Sequence, residues 1–127
     1  CHSEKSTKRL LDLDLCDYVF SADATQPVPI LEKLEEITNG EMCDIIINNV
    51  NITDTEMISI LAAKDGGTVY FFSMATSFTK AALGAEGVGK DVNMIVGNGY
   101  TRGHAQITLQ ILRESEKLRK VFTELYA

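Results

Sequence analysis

Four times along the chain an apolar run with strand character ends in a patch of small polar residues. Tyr18-Val19-Phe20 leads into Ser21-Ala22-Asp23, and Asp44-Ile45-Ile46-Ile47 into Asn48-Asn49-Val50-Asn51. Thr68-Val69-Tyr70-Phe71-Phe72 leads into Ser73-Met74-Ala75-Thr76, and Asn93-Met94-Ile95-Val96 into Gly97-Asn98-Gly99. These runs predict strands over about 18–22, 43–50, 68–73 and 92–97. Runs apolar on both faces, with helices between them, are what a parallel sheet covered on both sides requires. Ligands of such sheets sit outside the carboxyl ends of the strands, so the four polar patches are expected to share one ligand-facing edge.

Helical spacing fills the intervals. Residues 3–13 read as a helix capped by Ser3, with Leu10, Leu11 and Leu13 as its apolar surface. Pro27 and Pro29 open a second helix, whose Ile30, Leu31, Leu34 and Ile37 share a face and which Asn39-Gly40 ends. Thr53 or Asp54 is expected to cap a short helix with Met57, Ile58, Leu61 and Ala62 inward, and Lys64-Asp65-Gly66-Gly67 to turn tightly into the third strand. Residues 76–90, rich in Ala and Gly, read as a short helix and a loop. After Gly103 a helix runs to about 113 with Ile107, Ile111 and Leu112 inward. Ser115 then caps a last helix, in which Leu118, Val121, Phe122 and Leu125 follow i, i+3, i+4, i+7. The order α-β-α-β-α-β-(α)-β-α-α predicts an open, mainly parallel α/β sheet of about four strands with right-handed crossovers.

Composition narrows the partners. The net charge of −6 argues against nucleic acid, which calls for clustered Lys and Arg. No apolar run approaches the ~20 residues that span a bilayer, so no membrane partner is expected. The first residues, polar and charged, show no signal-peptide pattern. An odd count of three cysteines, Cys1, Cys16 and Cys43, suits a reducing, cytoplasmic setting; Cys16 and Cys43 read as small buried hydrophobes.

Candidate chemistry gathers at the strand ends. Asn48, Asn49 and Asn51 serve either as turn formers or as polar contacts to a ligand's ribose or amide. Ser73, Thr76, Ser77 and Thr79 are helix caps or ligand contacts. Asp23-Ala24 caps the next helix or edges an adenine pocket, capping being the favoured reading. Gly84-Ala85-Glu86-Gly87-Val88-Gly89-Lys90-Asp91 falls one residue short of the phosphate-binding pattern G-x-x-x-x-G-K-[ST]. Asp91 stands where a magnesium-holding hydroxyl belongs, and a strand follows where a helix should, so a loop crossing the sheet edge is favoured over a nucleotide-triphosphate site. Gly97-Asn98-Gly99-Tyr100 is no closer to G-x-G-x-x-G. Of the two histidines, His2 reads as exposed, and His104, at a helix start, as structural rather than catalytic. No Cys/His spacing marks a metal site.

Several blocks carry a resemblance. Glu41-Met42-Cys43-Asp44 through Thr55-Glu56-Met57, Lys64 through Phe78, Glu86 through Met94, and Asn98-Gly99-Tyr100 closely resemble the L-erythro-3,5-diaminohexanoate dehydrogenase family, itself similar to the medium-chain dehydrogenases. The resemblance implies an NAD-dependent oxidoreductase of anaerobic lysine fermentation. It would oxidatively deaminate a small diamino acid, 3,5-diaminohexanoate, to 5-amino-3-oxohexanoate. It also implies a Rossmann-like domain in which Asp23 and Ala24 lie by the adenine. Asn49, Val50 and Asn51 would lie by the ribose of the nicotinamide half, and Ser73, Met74 and Ala75 would approach the carboxamide, largely through backbone groups.

The family pattern has a catalytic domain and a glycine-rich first strand-turn-helix ahead of this segment, and its ribose-gripping acid would fall just before Cys1. Residues 1–127 are therefore expected to be the carboxy-terminal part of a dinucleotide-binding domain lacking its first two strands, inactive alone. In the strand order 3-2-1-4-5-6 that leaves strand 18–22 apart from the other three. It is expected to close against strand 43–50, unless another chain, as in a homo-oligomer, or a missing amino-terminal part fills the space. The competing reading is a non-catalytic, flavodoxin-like binding or assembly module.

Overall fold

The computed structural model describes residues 1, 3–97 and 101–127; His2 and the Asn98-Gly99-Tyr100 segment lie outside the described residues. Among the described residues six helices and three strands follow the expected order, save that no strand stands between the first two helices. The elements are α1 (Glu4–Leu13), α2 (Pro27–Thr38), β1 (Cys43–Asn48), α3 (Glu56–Ala62), β2 (Ala63–Phe71), α4 (Phe78–Val88), β3 (Asn93–Val96), α5 (His104–Glu114) and α6 (Glu116–Tyr126). The strands form one parallel sheet in the order β1-β2-β3. Parallel neighbours need crossovers, which α3 and α4 supply.

The helix ends are written in the sequence. Ser3 Oγ accepts from Ser6 N, and Ser115 Oγ from Leu118 N, each 3.2 Å away. Pro27 opens α2, and Asn39 ends it in the left-handed region at φ 52°. The half-buried face of α2 is Ile30, Leu31, Leu34 and Ile37, as the spacing predicts. Residues 76–90 resolve into one helix rather than a helix and a loop. Ser77 Oγ caps α4 by accepting from Lys80 N, and Gly89 closes it at φ 65°. The short helix begins at Thr55, which makes no side-chain cap, rather than at Thr53 or Asp54.

The core lies between α3, α4 and one sheet face: Ile60, Ala63, Val69, Phe71, Ala81 and Ala85, with Ile46, Val92 and Met94 packed against it. Ile60 is fully buried although the helical face drawn from sequence leaves it out. The reason is that α3 touches β1, β2, α2 and α4 and so is enclosed nearly all round.

Several expectations are corrected. Residues 18–22 form no strand of the sheet, so the described residues hold three strands and not four. A strand exists only through a hydrogen-bonded neighbour, and this segment finds its partner in Cys1. The Cys1 amine donates to the Phe20 carbonyl at 2.9 Å, and Ala22 N donates to the Cys1 carbonyl at 2.7 Å. That pattern brackets Ser21 as a parallel ladder does. The expected closure against residues 43–50 is absent, and among the described residues β1 pairs with β2 alone.

The sheet is also covered on one face only. Ile45, Ile47, Phe72 and Ile95 stand 47–66% exposed on the other, because α5 and α6 pack on each other instead of on it. The inward face drawn for α5 is for the same reason largely exposed, Ile107 and Ile111 included. Helix α6 runs beside α1, where Leu13 and Val121 border a shared groove. The Lys64–Gly67 turn is a bulge inside β2: Cys43 pairs with Ala63, but Ile45 already pairs with Thr68. Cys16 is exposed and Cys43 half-buried, so neither is the buried hydrophobe expected.

Candidate functional site at the carboxyl edge of the sheet

The carboxyl ends of β1 and β2 lie side by side, and the backbone ladder runs on past them. Phe72 N donates to the Asn48 carbonyl at 3.0 Å, and Gly97 N to the Phe71 carbonyl at 2.9 Å. A Cβ at Gly97 would stand 2.6 Å from both the Phe72 ring and the Tyr70 hydroxyl, so any larger residue there would push those rings aside. Two loops leave this edge, residues 49–55 toward α3 and residues 72–77 toward α4.

Each loop is tied down by a buried polar side chain that sequence reasoning did not single out for that task. Asn48, only 5% exposed, donates through Nδ2 to Thr55 Oγ1 and Ser59 Oγ, both at 2.9 Å. Its Oδ1 accepts from Val50 N at 2.9 Å, which bends the chain into residues 49–51. Glu56, 3% exposed, accepts from Ser77 N at 2.6 Å across from the other loop. The signal was present in one respect: a strand end that is polar yet followed by an inward helix implies a satisfied buried side chain.

Held this way, the candidate residues take definite places. Asn51 Oδ1 and Ser73 Oγ approach to 3.5 Å, so the two central patches do meet. Ser73 Oγ also accepts from Ala75 N at 3.1 Å, shaping a turn in which Met74 is 98% exposed. Asn49, Val50 and Asn51 are exposed. Thr76 Oγ1 is buried without a hydrogen-bond partner. Asp23 does not cap α2. Its Oδ1 accepts from Thr25 N at 2.9 Å and from Thr25 Oγ1 at 2.7 Å, while Gln26 stands at the helix start with no side-chain cap. Ala24 borders a cavity of about 160 Å³ together with Val50, Asn48 and Thr55, which brings the first patch near the second without pairing them.

Electrostatics at this edge are local. Lys80 on α4 bonds Asp54 in the first loop. That hydrogen bond, then the charge of Lys80, holds the Asp54 carboxyl below the usual carboxylate range; the same contacts raise Lys80 above the usual lysine range. Asp54 sits in the left-handed region at φ 67°, a conformation its short polar side chain tolerates.

Other candidates resolve elsewhere. Residues Gly84–Val88 are helical, and Lys90 donates to the Leu61 and Ala63 carbonyls, so this segment is neither a phosphate loop nor a loop over the sheet edge. His104 Nδ1 lies 2.8 Å from the Thr101 carbonyl, which fits a structural role. Among the described residues no three His, Cys, Asp or Glu side chains gather as a metal site would, and no helix is long and apolar enough to cross a membrane.

The chain is 62% identical over 124 residues, 98% of its length, to L-erythro-3,5-diaminohexanoate dehydrogenase of Acetoanaerobium sticklandii. The protein of the same name from Fusobacterium nucleatum subsp. nucleatum is 58% identical over 105 residues, 83% of the chain. The chain spans about a third of the length of these diaminohexanoate dehydrogenases, 36% of the first and 30% of the second. No protein-family model matches it.

Proposed function

We propose that residues 1–127 are the carboxy-terminal part of the dinucleotide-binding domain of an NAD-dependent amine dehydrogenase, lacking that domain's first two strands and the catalytic domain. The identity of 62% to a diaminohexanoate dehydrogenase carries this reading. The geometry agrees with it: two exposed polar loops side by side at the carboxyl edge of a parallel sheet are where such folds bind dinucleotides. The substrate is then 3,5-diaminohexanoate, converted to 5-amino-3-oxohexanoate in lysine fermentation in the cytoplasm.

The residues present fit NAD in their chemistry. The Ser73 hydroxyl donates to Asn51 Oδ1 at 3.5 Å, which leaves the Asn51 amide nitrogen able to donate to a ligand. Thr76 Oγ1 is a buried hydroxyl still lacking a partner. Asn49, Val50 and Asn51 would hold the ribose of the nicotinamide half. Ser73, Met74 and Ala75 would take the carboxamide through their backbone, and Asp23 and Ala24 would edge the adenine. When bound, NAD would supply the acceptor for the hydride of the amine-bearing carbon, with the nitrogen losing a proton to solvent, and water would hydrolyse the resulting imine to ketone and ammonia. The part of these residues is to bind and orient, which is where proximity effects arise. The pyrophosphate cradle would come from outside residues 1–127, from the preceding part of the enzyme or a second subunit, so this segment alone turns over no substrate.

Fluorescence titration with NADH tests the reading. The complete enzyme containing these residues should bind at micromolar levels and reduce NAD with 3,5-diaminohexanoate, and the isolated segment should show no turnover. No NADH binding by the complete enzyme, or undiminished turnover by the segment, would overturn it.

A further inference from the structure

We infer that Glu56 is a positioning residue for the dinucleotide crevice, tying the loop after β1 to the loop after β2 so that Asn51 and Ser73 stay within reach of one ligand. The inference rests on reading this edge as an NAD crevice.

The first turn of α3 anchors both loops. On one side Thr55 and Ser59 receive the Asn48 amide, which fixes where residues 49–55 begin and end. On the other, the Glu56 carboxylate takes the backbone N–H of Ser77, 21 residues further along the chain, at 2.6 Å. Between the two anchors Asn51 and Ser73 stand 3.5 Å apart and Met74 lies open to solvent.

Helix capping does not account for Glu56. The Ser77 hydroxyl already caps α4 through Lys80 N, whereas Glu56 reaches the half-buried Ser77 amide from a different helix. Placing a carboxylate at 3% exposure is costly, and the cost is offset by the charge-assisted bond to Ser77 N together with the start of α3 and the charge of Lys80. What that bond adds is geometry. The 72–77 loop is fixed relative to α3, so the groups it presents to a ligand are pre-organised rather than ordered on binding.

The test compares Glu56→Gln, Glu56→Ala and Glu56→Leu in the complete enzyme. Glutamine keeps an oxygen able to accept from Ser77 N; alanine and leucine do not, and leucine keeps the volume if alanine fails to fold. Losing one charge-assisted bond corresponds to roughly a tenfold effect or more. NADH should bind the glutamine variant within about threefold of native, and the alanine or leucine variant about tenfold more weakly. The KM for NAD should rise in parallel while kcat at saturation changes less than about threefold. Hydrogen exchange at the Ser77 amide should quicken about tenfold in the alanine or leucine variant and not in the glutamine variant. Native-like NADH affinity in those acceptor-lacking variants would overturn the inference, as would a glutamine variant as weak as they are. If native enzyme binds no NADH, the proposed function itself fails and this inference falls with it.

Discussion

Asn48 is where the structure makes its sharpest energetic claim. Replacing it with alanine removes the acceptor of Val50 N and the donor to Thr55 Oγ1 and Ser59 Oγ, three good bonds at 2.9 Å each, plus a longer approach of 3.4 Å to the Thr55 carbonyl. At about 1 kcal/mol net per bond the loss sums to roughly 3 kcal/mol. The hydroxyls of Thr55 and Ser59 can partly recover by rotating, and Ser59 Oγ already donates to the Thr55 carbonyl at 2.9 Å. The Val50 amide has no such freedom. The expected destabilisation is therefore about 2–4 kcal/mol. Asn48→Asp keeps the Val50 bond but turns a donor into a buried anionic acceptor beside the Thr55 carbonyl, and it should cost about as much. Urea denaturation followed by circular dichroism, at unchanged m-value, measures both. A change below about 0.5 kcal/mol in both variants would refute the claim that this side chain is a satisfied buried hub.

Three further outcomes follow from the same structure. Phe71→Ala, at a 2% exposed position central to the core, should cost about 3–5 kcal/mol, while Met74→Ala, 98% exposed, should stay within about 0.5 kcal/mol; thermal melting separates them. Gly67→Ala places a Cβ 2.8 Å from the Lys64 carbonyl and 3.2 Å from those of Cys43 and Asp44, so it should cost about 1–3 kcal/mol in the same assay. For the Asp54–Lys80 pair, the lowered carboxyl value means its stabilisation is complete above the usual carboxylate range and lost as pH falls through the lowered folded value. The raised Lys80 value means it is likewise complete below the usual lysine range and lost as pH rises through the raised value. Asp54→Asn should therefore lower the melting temperature slightly at pH 7 in dilute buffer, and the difference from native should vanish in strong acid and in about 1 M salt; a difference that persists in both would rule the pair out as its cause.

How much of this was legible in the chain depends on how local each determinant is. Ser3, Ser115, Pro27 and Asn39 act on their own helix ends, within a few residues, and their effects are as the spacing predicts. The second and third strand runs sit within a residue or two of their observed carboxyl ends, because continuous β-branched and aromatic runs suit a buried sheet. The meeting of Asn51 with Ser73 also followed from the pattern, since parallel strands put like ends together. Glu56 and Asp23 were not legible in their actual roles. A carboxylate at the first position of a helix reads as surface charge until a loop 21 residues away closes over it, and Asp23 reads as a helix cap until Thr25 takes its oxygen.

By itself, then, the sequence determined where most helices lie, the caps at Ser3 and Ser115, the parallel class of the sheet and the kinship with a diaminohexanoate dehydrogenase, because these are encoded in local spacing or in long blocks of identity. Only the tertiary structure decided whether residues 18–22 become a strand, which sheet face is covered, and which polar side chains are buried as anchors. Each of those depends on a partner distant in the chain: a ladder neighbour, a packing helix, or a backbone amide arriving from another loop. Apolarity at 18–20 offers a strand, but without a ladder alongside β1 it takes the one main-chain partner at hand, Cys1.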